Sequence, residues 1–353
     1  MDRVFYSVDN RPTRIRGFMQ QSKVALITGA SAGVGRATAV ALAEHGFDVA
    51  LLARGEAGLR AAAAEVEAKG QRALVIPTDV ADYNAVDRAA SMTEEQLGPI
   101  EVWINDAMTT SFSPVADTEP EDFRRAIEVT FLGQVWGTMA ALERMRPRDR
   151  GNIVNVGSAL AFIGIPLQAA YCSAKFACRG FFESTRAELI HDGSHVRLSM
   201  VHLPAVNTPQ FDWCHTTMDR HPQPVPPIYQ PEWPAKYIVE VALDGRRSRI
   251  VGSWNKVLVA AGQVAPGFGN QYAALGAWDS QLTDQPIARD RPDNLRSPAD
   301  NISDAGARGI FGHEAHGFLD PSFLKTLPKT GRTLMAAAIA AIKDRRAGTA
   351  ADQ

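Results

Sequence analysis

The sequence lacks the features that would mark a secreted, metal-binding, membrane-spanning or nucleic-acid-binding protein. Its three cysteines, Cys172, Cys178 and Cys214, and its eight histidines show no metal-ligand spacing, and the odd cysteine count favours reduced thiols. The first twenty residues hold no apolar signal-peptide core, and no run approaches the roughly 18 apolar residues of a spanning helix. A formal charge of −2 offers no electrostatic attraction to nucleic acid. We therefore expect a soluble, cytoplasmic protein without a metal or a nucleic-acid partner.

What is present, between about residues 23 and 252, is an alternation of apolar and helical stretches. Glycine-closed helical stretches such as "GRATAVALAEHG" separate the apolar runs. Six apolar runs predict strands at residues 23–28, 48–53, 72–77, 100–105, 151–158 and 196–203. Continuous apolar strands separated by helices indicate a parallel sheet covered on both faces. We therefore predict an α/β fold, a Rossmann-type doubly wound parallel sheet in three αβα layers.

A glycine-rich loop follows the first predicted strand and opens the first helix. It reads "TGASAGVG", from Thr28 to Gly35, with glycines at 29, 33 and 35. Glycine permits a tight turn and a close backbone approach, and the N–H groups at a helix N-terminus suit a pyrophosphate. At this position in a βαβ unit, the loop indicates dinucleotide binding.

The end of the second predicted strand bears on which dinucleotide binds. An acid there would hydrogen-bond the ribose hydroxyls of NAD and repel the extra phosphate of NADP. The chain instead has Ala53 followed by Arg54. Because a guanidinium suits a 2′-phosphate, we expect NADP(H) to be favoured over NAD(H), with a solvated loop arginine as the alternative.

Polar residues also follow the third and fourth predicted strands, at the sheet edge where ligands bind. Asp79, in "TDV", could accept a hydrogen bond from the adenine amino group, and Asn105, in "IND", could line the cofactor cleft. Asp and Asn also favour turns, so each keeps a structural alternative.

The stretch "YCSAK" places Tyr171 and Lys175 one helical turn apart on the same face, thirteen residues beyond Ser158, which ends a predicted strand. Hydride transfer to a carbonyl leaves an alkoxide-like oxygen that needs a proton from a nearby acid. A lysine ammonium and a cationic nicotinamide would both lower the tyrosine pKa from its usual value of about 10. Cys172 faces a different side of the helix, which favours packing.

In their order along the chain, these pieces resemble the short-chain dehydrogenase/reductases, in their compact oxidoreductase branch, over about residues 22–252. The matching motifs are TGxxxGxG, the Asp-Val pair, Asn-x-Ala as "NDA", the strand-ending serine, YxxxK and the turn "PAVNT". The resemblance implies that Tyr171 is the general acid/base, that Ser158 holds the substrate oxygen, and that Lys175 binds the nicotinamide ribose and lowers the tyrosine pKa. It assigns cofactor binding to Gly29, Ser31, Gly33, Val34, Gly35, Arg54, Asp79, Val80, Asn105, Ala107, Tyr171, Lys175, Pro204 and Thr208. It also implies a homo-oligomer, a dimer or a tetramer.

The chain departs from this family pattern in two places. Thr130, in "EVTFLG", stands where the family has an asparagine that holds a water, so we expect Thr130 in the catalytic group with a different water arrangement or slow turnover. Asp106 and Met108 stand where the family has "NNAG". The thioether could narrow the nicotinamide cleft, contact substrate or simply pack.

The segment 204–231 is long, proline-rich and aromatic. In the family this region forms a lid, so Phe211, Trp213 and Tyr229 are candidates to line an apolar pocket, with plain surface cover as the alternative.

We expect a single domain with two extensions: residues 1–21, a dinucleotide-binding and catalytic domain at 22–262, and residues 263–353. Residues 279–330, rich in Asp, Pro, Gly and Arg, predict a surface extension. Residues 331–348 predict a terminal helix docked on the body or on a partner subunit, or making a shallow membrane contact.

The sequence therefore predicts an NADP(H)-dependent oxidoreductase that interconverts an alcohol and a ketone or aldehyde. Two alternatives stay open. One is a dinucleotide-binding sensor or scaffold with little turnover, suggested by Thr130, Asp106 and Met108. The other is a reductase of a lipid-like substrate at a membrane surface.

Overall fold

A computed structural model of the chain describes residues 23–264, 273–288 and 290–315. The predicted N-terminal extension and the predicted terminal helix at 331–348 lie outside the described residues. Within them, no helix combines the length and the apolar character needed to cross a bilayer.

The centre of the structure is a seven-stranded parallel sheet in the order β3-β2-β1-β4-β6-β7-β12. Its strands are β1 (Lys23–Thr28), β2 (Phe47–Ala53), β3 (Ala73–Pro77), β4 (Ile100–Asn105), β6 (Asn152–Ser158), β7 (Arg197–Leu203) and β12 (Ser248–Ile250). All six predicted strands are confirmed to within one residue at their starts. The seventh, β12, is short and carries Ser and Arg, so it lacks the apolar run from which the others were predicted.

Short strands pair outside this sheet. They are β5 (Ser111–Phe112) with β9 (His215–Thr216), β8 (Ala205–Val206) with β11 (Ile228–Tyr229), and β10 (Arg220–Pro222) with β13 (Leu282–Pro286).

Helices cover both faces of the sheet, which confirms the three-layer Rossmann-type fold. They are α1 (Gly33–Glu44), α2 (Glu56–Glu67), α3 (Tyr83–Gln96), α4 (Pro120–Ile127), α5 (Gly133–Met145), α6 (Ala169–His191), α7 (Gln210–Trp213), α8 (Glu232–Asp244) and α9 (Ser253–Val264). Helices α1, α2 and α8 contribute to one buried apolar cluster, and α3, α5 and α6 to a second. Because apolar strand residues alternate between these clusters, each face of the sheet is buried, as continuous apolar strands require.

Strand register brings the predicted polar residues to one edge. Thr28, the last residue of β1, lies opposite Leu52 of β2 and Asn105 of β4. Ser158, the last residue of β6, lies opposite Leu203 of β7. Residues far apart in sequence therefore meet at the carboxyl ends of the strands.

Residues 290–315, here named the C-terminal strap, cross this same edge. Leu295 and Phe311 of the strap are buried, and backbone hydrogen bonds join it to Gly58, Asn207 and Trp213. Most of the other strap residues are exposed or half-buried, so the strap lies on the surface with a few buried anchors.

Candidate active site at the carboxyl edge of the sheet

The glycine-rich loop takes a backbone path that side chains would obstruct. Gly29 has φ +76° and Gly33 has φ +59°, both in the left-handed region that favours glycine. A Cβ added to Gly29 would lie 2.9 Å from the backbone of Ala107, and one added to Gly35 would lie 2.9 Å from the Asp106 carboxylate. The loop therefore presses against the segment that follows β4.

Thr28 fastens these two segments together. Its hydroxyl oxygen accepts hydrogen bonds from the backbone N–H groups of Asp106 at 3.1 Å and Ala107 at 3.2 Å. Thr28 is not among the residues predicted from the sequence, although a hydroxyl residue at the carboxyl end of a strand, directly before the glycines, is a signal for such a role. Within the loop, Ser31 and Val34 are buried.

Asn105 is turned into the interior. Its amide oxygen accepts from the indole N–H of Trp103 at 2.8 Å, and its amide nitrogen donates to Asn155 at 2.8 Å and Thr138 at 3.2 Å. The side chain is fully buried in this network. The sequence predicts that Asn105 lines the cofactor cleft. In the structure its amide instead lies in the interior, beneath the carboxyl edge of the sheet.

Thr130 lies in a π-helical turn, Glu128–Leu132, between α4 and α5. Its hydroxyl donates to the carbonyl oxygen of Thr109 at 2.7 Å and accepts from the Thr109 N–H at 3.0 Å. The thiol of Cys178 lies 3.4 Å from the Thr130 carbonyl oxygen. The threonine that replaces the expected asparagine thus pins the loop after β4 through both of its hydrogen-bonding functions.

Ser158, Tyr171 and Lys175 meet beside this loop. Ser158 is at the end of β6, and Tyr171 and Lys175 lie in the first two turns of α6. The Lys175 ammonium is buried, 5.6 Å from the centroid of the Tyr171 ring, and donates to the Val156 carbonyl at 2.8 Å. The Ser158 side chain interacts with the Tyr171 phenol. The structure therefore brings together three of the four residues predicted for the catalytic group, whereas the hydroxyl of the fourth, Thr130, is bonded to Thr109.

The tyrosine pKa differs from the sequence expectation. Burial raises the pKa of Tyr171 above 10, and this effect outweighs the opposing influence of the Lys175 charge and the Ser158 hydrogen bond. The Lys175 charge does act in the predicted direction, toward a lower tyrosine pKa, and a net lowering in the presence of a nicotinamide stays a prediction. At neutral pH the phenol keeps its proton.

His202, on β7, was not singled out from the sequence. Its Nδ1 lies 3.2 Å from the Ser158 carbonyl oxygen, and its ring meets Phe162 edge to face at 4.7 Å. Burial lowers the pKa of His202 to about 4, so the ring is neutral and can donate from Nδ1 to that carbonyl. It supports the backbone of the strand end that carries Ser158.

Asp106 occupies a position where an amide is usual in the resembled family. Burial raises the pKa of its carboxyl to about 7, against the Lys175 charge and a hydrogen bond from the Gly35 N–H. The site therefore holds a carboxyl near half-protonation at neutral pH. Met108 is partly buried, and its predicted role in narrowing the cleft stays a prediction.

The two residues predicted to hold the adenosine end of the cofactor have partners of their own. Arg54 donates to the carbonyl oxygens of Asn294 and, at 3.4 Å, Leu295, both in the strap. Asp79 accepts from Arg125 at 2.5 Å and from the Ala81 N–H at 3.0 Å. Burial, followed by the nearby Arg125 charge, lowers the pKa of Arg54. Val80, beside Asp79, is buried.

Of the remaining predicted residues, some lie near the glycine-rich loop and Phe211 packs among aromatic side chains. A Cβ added to Gly33 would lie 3.2 Å from the Thr208 methyl group, so Thr208 flanks the glycine-rich loop, while Pro204 begins the segment that carries it. Phe211 packs between Phe112 and Phe311, with ring centroids 6.0 and 6.1 Å away.

Three other residues singled out from the sequence contact neighbouring side chains or are buried in the interior. Trp213 hydrogen-bonds to Gln210 at 3.4 Å, and Tyr229 stacks on Trp233 at 4.4 Å. Cys172 is buried, and burial raises the pKa of its thiol to about 11, in keeping with a packing role.

The fold, the glycine-rich loop and the Ser-Tyr-Lys group together define a dinucleotide-binding α/β oxidoreductase. The family model for short chain dehydrogenases matches residues 23–217. A Bacillus subtilis protein described as uncharacterized oxidoreductase YxnA is 32% identical over 276 residues, which cover 78% of this chain and 78% of that protein. The 3-dehydrosphinganine reductase of Danio rerio is 32% identical over 228 residues, covering 62% of this chain and 68% of that protein. This chain belongs to the short-chain dehydrogenase family.

Solved structures show the same relationship. An alcohol dehydrogenase from the archaeon Thermococcus sibiricus, complexed with 5-hydroxy-NADP, has a TM-score of 0.56 and 26% identity, covering 65% of this chain and 95% of that one. A metagenomic short-chain oxidoreductase in complex with NADP has a TM-score of 0.55 and 26% identity, covering 65% of this chain and 96% of that one.

Proposed function

We propose that the chain is an NADP(H)-dependent oxidoreductase that interconverts an alcohol and a ketone or aldehyde. The observation that carries the proposal is the meeting of Ser158, Tyr171 and Lys175 near a glycine-rich loop whose Gly29 and Gly35 have no room for a Cβ. That loop fits a dinucleotide, because glycines at 29, 33 and 35 permit its tight turn at the N-terminus of α1, where backbone N–H groups suit a pyrophosphate. When bound, the nicotinamide would supply or accept the hydride.

The protein's own residues would manage the proton. Because burial holds the pKa of Tyr171 above 10, its phenol is protonated at neutral pH and can give that proton to an oxygen that gains negative charge. The Ser158 hydroxyl would hold that oxygen, and the Lys175 ammonium would stabilise the tyrosinate left behind. This protonation state suits carbonyl reduction.

The choice of dinucleotide rests on Arg54. Arg54 lies at the end of β2, where Ala53 replaces an acid, and a guanidinium there favours a 2′-phosphate. The structural neighbours do not decide the choice, since two are NADP-type complexes by description and a third is bound to NAD. We therefore favour NADP(H) over NAD(H).

The test is the oxidation of NADPH, followed by its absorbance, against a panel of ketones and aldehydes. We expect Tyr171→Phe to lower turnover by about 10²- to 10⁴-fold, the usual contribution of a general acid. Tyr83→Phe is the matched control and should keep full activity, since the Tyr83 hydroxyl donates to Glu143 at 3.5 Å on the surface and phenylalanine keeps the ring that packs against Trp136. NADPH binding without turnover on any carbonyl would favour the sensor alternative.

A lipid-like substrate is the second candidate. The 3-dehydrosphinganine reductase of Danio rerio and a 3-ketodihydrosphingosine reductase of Bos taurus, at 32% and 30% identity, are named for long-chain ketones. The panel should therefore include a long-chain 3-keto amino alcohol. Turnover of that compound alone, strengthened by liposomes, would favour this candidate over a small soluble ketone.

We also propose that the chain forms a homo-oligomer through α5 and α6. Large apolar side chains on these helices are exposed: Met139 at 45%, Phe176 at 46% and Ile190 at 66%. Phe176→Glu should lower the mass measured by light scattering in solution, whereas Leu243→Glu on α8 should not. An unchanged mass in both would refute this face as the interface.

A further inference from the structure

The C-terminal strap covers the groups to which the proposed function assigns the adenosine half of the cofactor. Backbone carbonyls of the strap accept hydrogen bonds from the two terminal guanidinium nitrogens of Arg54, which follows β2. The Asp300 carbonyl accepts from the Gly58 N–H at 3.1 Å, in the first turn of α2. The Gly306 carbonyl lies 3.4 Å from the N–H nitrogen of Gly33, in the glycine-rich loop. Three separate contacts thus engage one binding surface.

Asp300 fills the space between the first two βα loops. Its side chain is 5% exposed and wedges against Gly55 and Gly58, where an added Cβ would overlap the carboxylate. The same Cβ at Gly58 would lie 2.9 Å from the Ser31 side chain, so Gly58 lies between Asp300 and the glycine-rich loop. An anion at a helix N-terminus beside a guanidinium is in the environment that suits a phosphate group.

Two ion pairs outside the cleft help to hold the strap in place. Asp304 forms an ion pair with Arg36 of α1, and Arg296 pairs with Asp122 of α4 at 2.5 Å. Each pair has one buried partner and one exposed partner. These anchors contribute to docking the strap and do not themselves lie among the residues assigned to the cofactor.

We propose that the C-terminal strap is an intramolecular competitor of NADP(H), with Asp300 in the place of the 2′-phosphate. The inference rests on the proposed function, since it needs Arg54 to be the phosphate-binding residue. NADP(H) must displace the strap from Arg54, Gly58 and the glycine-rich loop before the adenosine half can dock. The apparent affinity then equals the intrinsic affinity multiplied by the fraction of molecules with the strap released.

The test compares NADPH binding by nicotinamide fluorescence in the full chain and in strap-anchor variants. Asp304→Ala and Arg296→Ala should each tighten NADPH binding about two- to fivefold, the range expected for losing a partly exposed ion pair. The double variant should show about the product of the two effects, since the anchors have separate partners. Asp279→Ala is the matched control, because Asp279 pairs with Arg220 outside the strap and should change nothing.

A second readout follows the strap itself. Tryptic cleavage after Arg296 and Arg308, whose side chains are 60% and 61% exposed, should accelerate when NADPH is added. Slower cleavage with NADPH, together with weaker binding in the anchor variants, would overturn the proposal and make the strap a clamp over the cofactor. If the anchor variants bind NADPH as tightly as the wild type, the proposal that the strap competes with NADPH is overturned and the proposed function stands. No binding in any variant would overturn the proposal together with the proposed function.

Discussion

Replacing Thr130 with valine removes a hydroxyl and keeps the shape of the side chain. The Thr130 hydroxyl donates to the Thr109 carbonyl at 2.7 Å and accepts from the Thr109 N–H at 3.0 Å. Both residues are fully buried, so water cannot replace the lost partner. The substitution therefore strands one backbone donor and one backbone acceptor in the interior.

The magnitude follows from these two groups. A buried polar group left without a partner costs about 1–3 kcal/mol, so the two together should lower the free energy of unfolding by about 2–6 kcal/mol. Urea unfolding followed by intrinsic fluorescence measures this loss. Thr130→Ser keeps the hydroxyl and should retain most of the stability.

Thr38 offers the matched control. Its hydroxyl is also fully buried, in α1, yet it has no hydrogen-bond partner among the residues that the structure describes. Thr38→Val should therefore be neutral or stabilise the protein by up to about 1–3 kcal/mol, the cost of an unpaired hydroxyl. Equal effects of the two valine substitutions would refute the assignment of a fastening role to Thr130.

Two further predictions concern pH. Burial raises the pKa of Asp106 from 3.8 to about 7 in the folded protein. Between these two values the unfolded chain loses the Asp106 proton more readily than the folded protein does, so the stability of the wild type falls as pH rises, and the stability of Asp106→Asn relative to wild type should grow. A pH-independent difference between their urea midpoints would contradict this. Hydrogen bonding to Asp293 raises the pKa of His215 above 6.5, helped by Asp122 and opposed by burial and Arg296. Its stabilising contribution is complete below 6.5 and lost as pH rises through the raised value, so His215→Ala should lower thermal stability at pH 6 and change little at pH 9.

Local sequence patterns were enough to predict most of the fold and the catalytic group. Apolar runs located all six predicted strands because strands buried on both faces need them. Glycines at 29 and 33 signalled the loop because positive φ angles exclude most side chains. Tyr171 and Lys175 were paired by helical periodicity alone, since residues four apart share a helix face.

Other features depended on contacts that no local pattern encodes. Asn105 could be placed at a strand end, but the direction of its amide follows from Trp103, Thr138 and Asn155 around it. The pKa of Tyr171 could not be predicted because desolvation depends on everything packed around the ring.

By itself, the sequence determined a doubly wound sheet, a dinucleotide loop and a Ser-Tyr-Lys group at one edge, because strand burial, glycine sterics and helix periodicity act over a few residues. Only the tertiary structure decided what Arg54 touches, since its partners Asn294 and Leu295 are about 240 residues away in the chain. A polar, proline-containing segment carries no periodicity that predicts its docking site. Its position follows from a few buried anchors and backbone hydrogen bonds, which exist only once the sheet edge has formed.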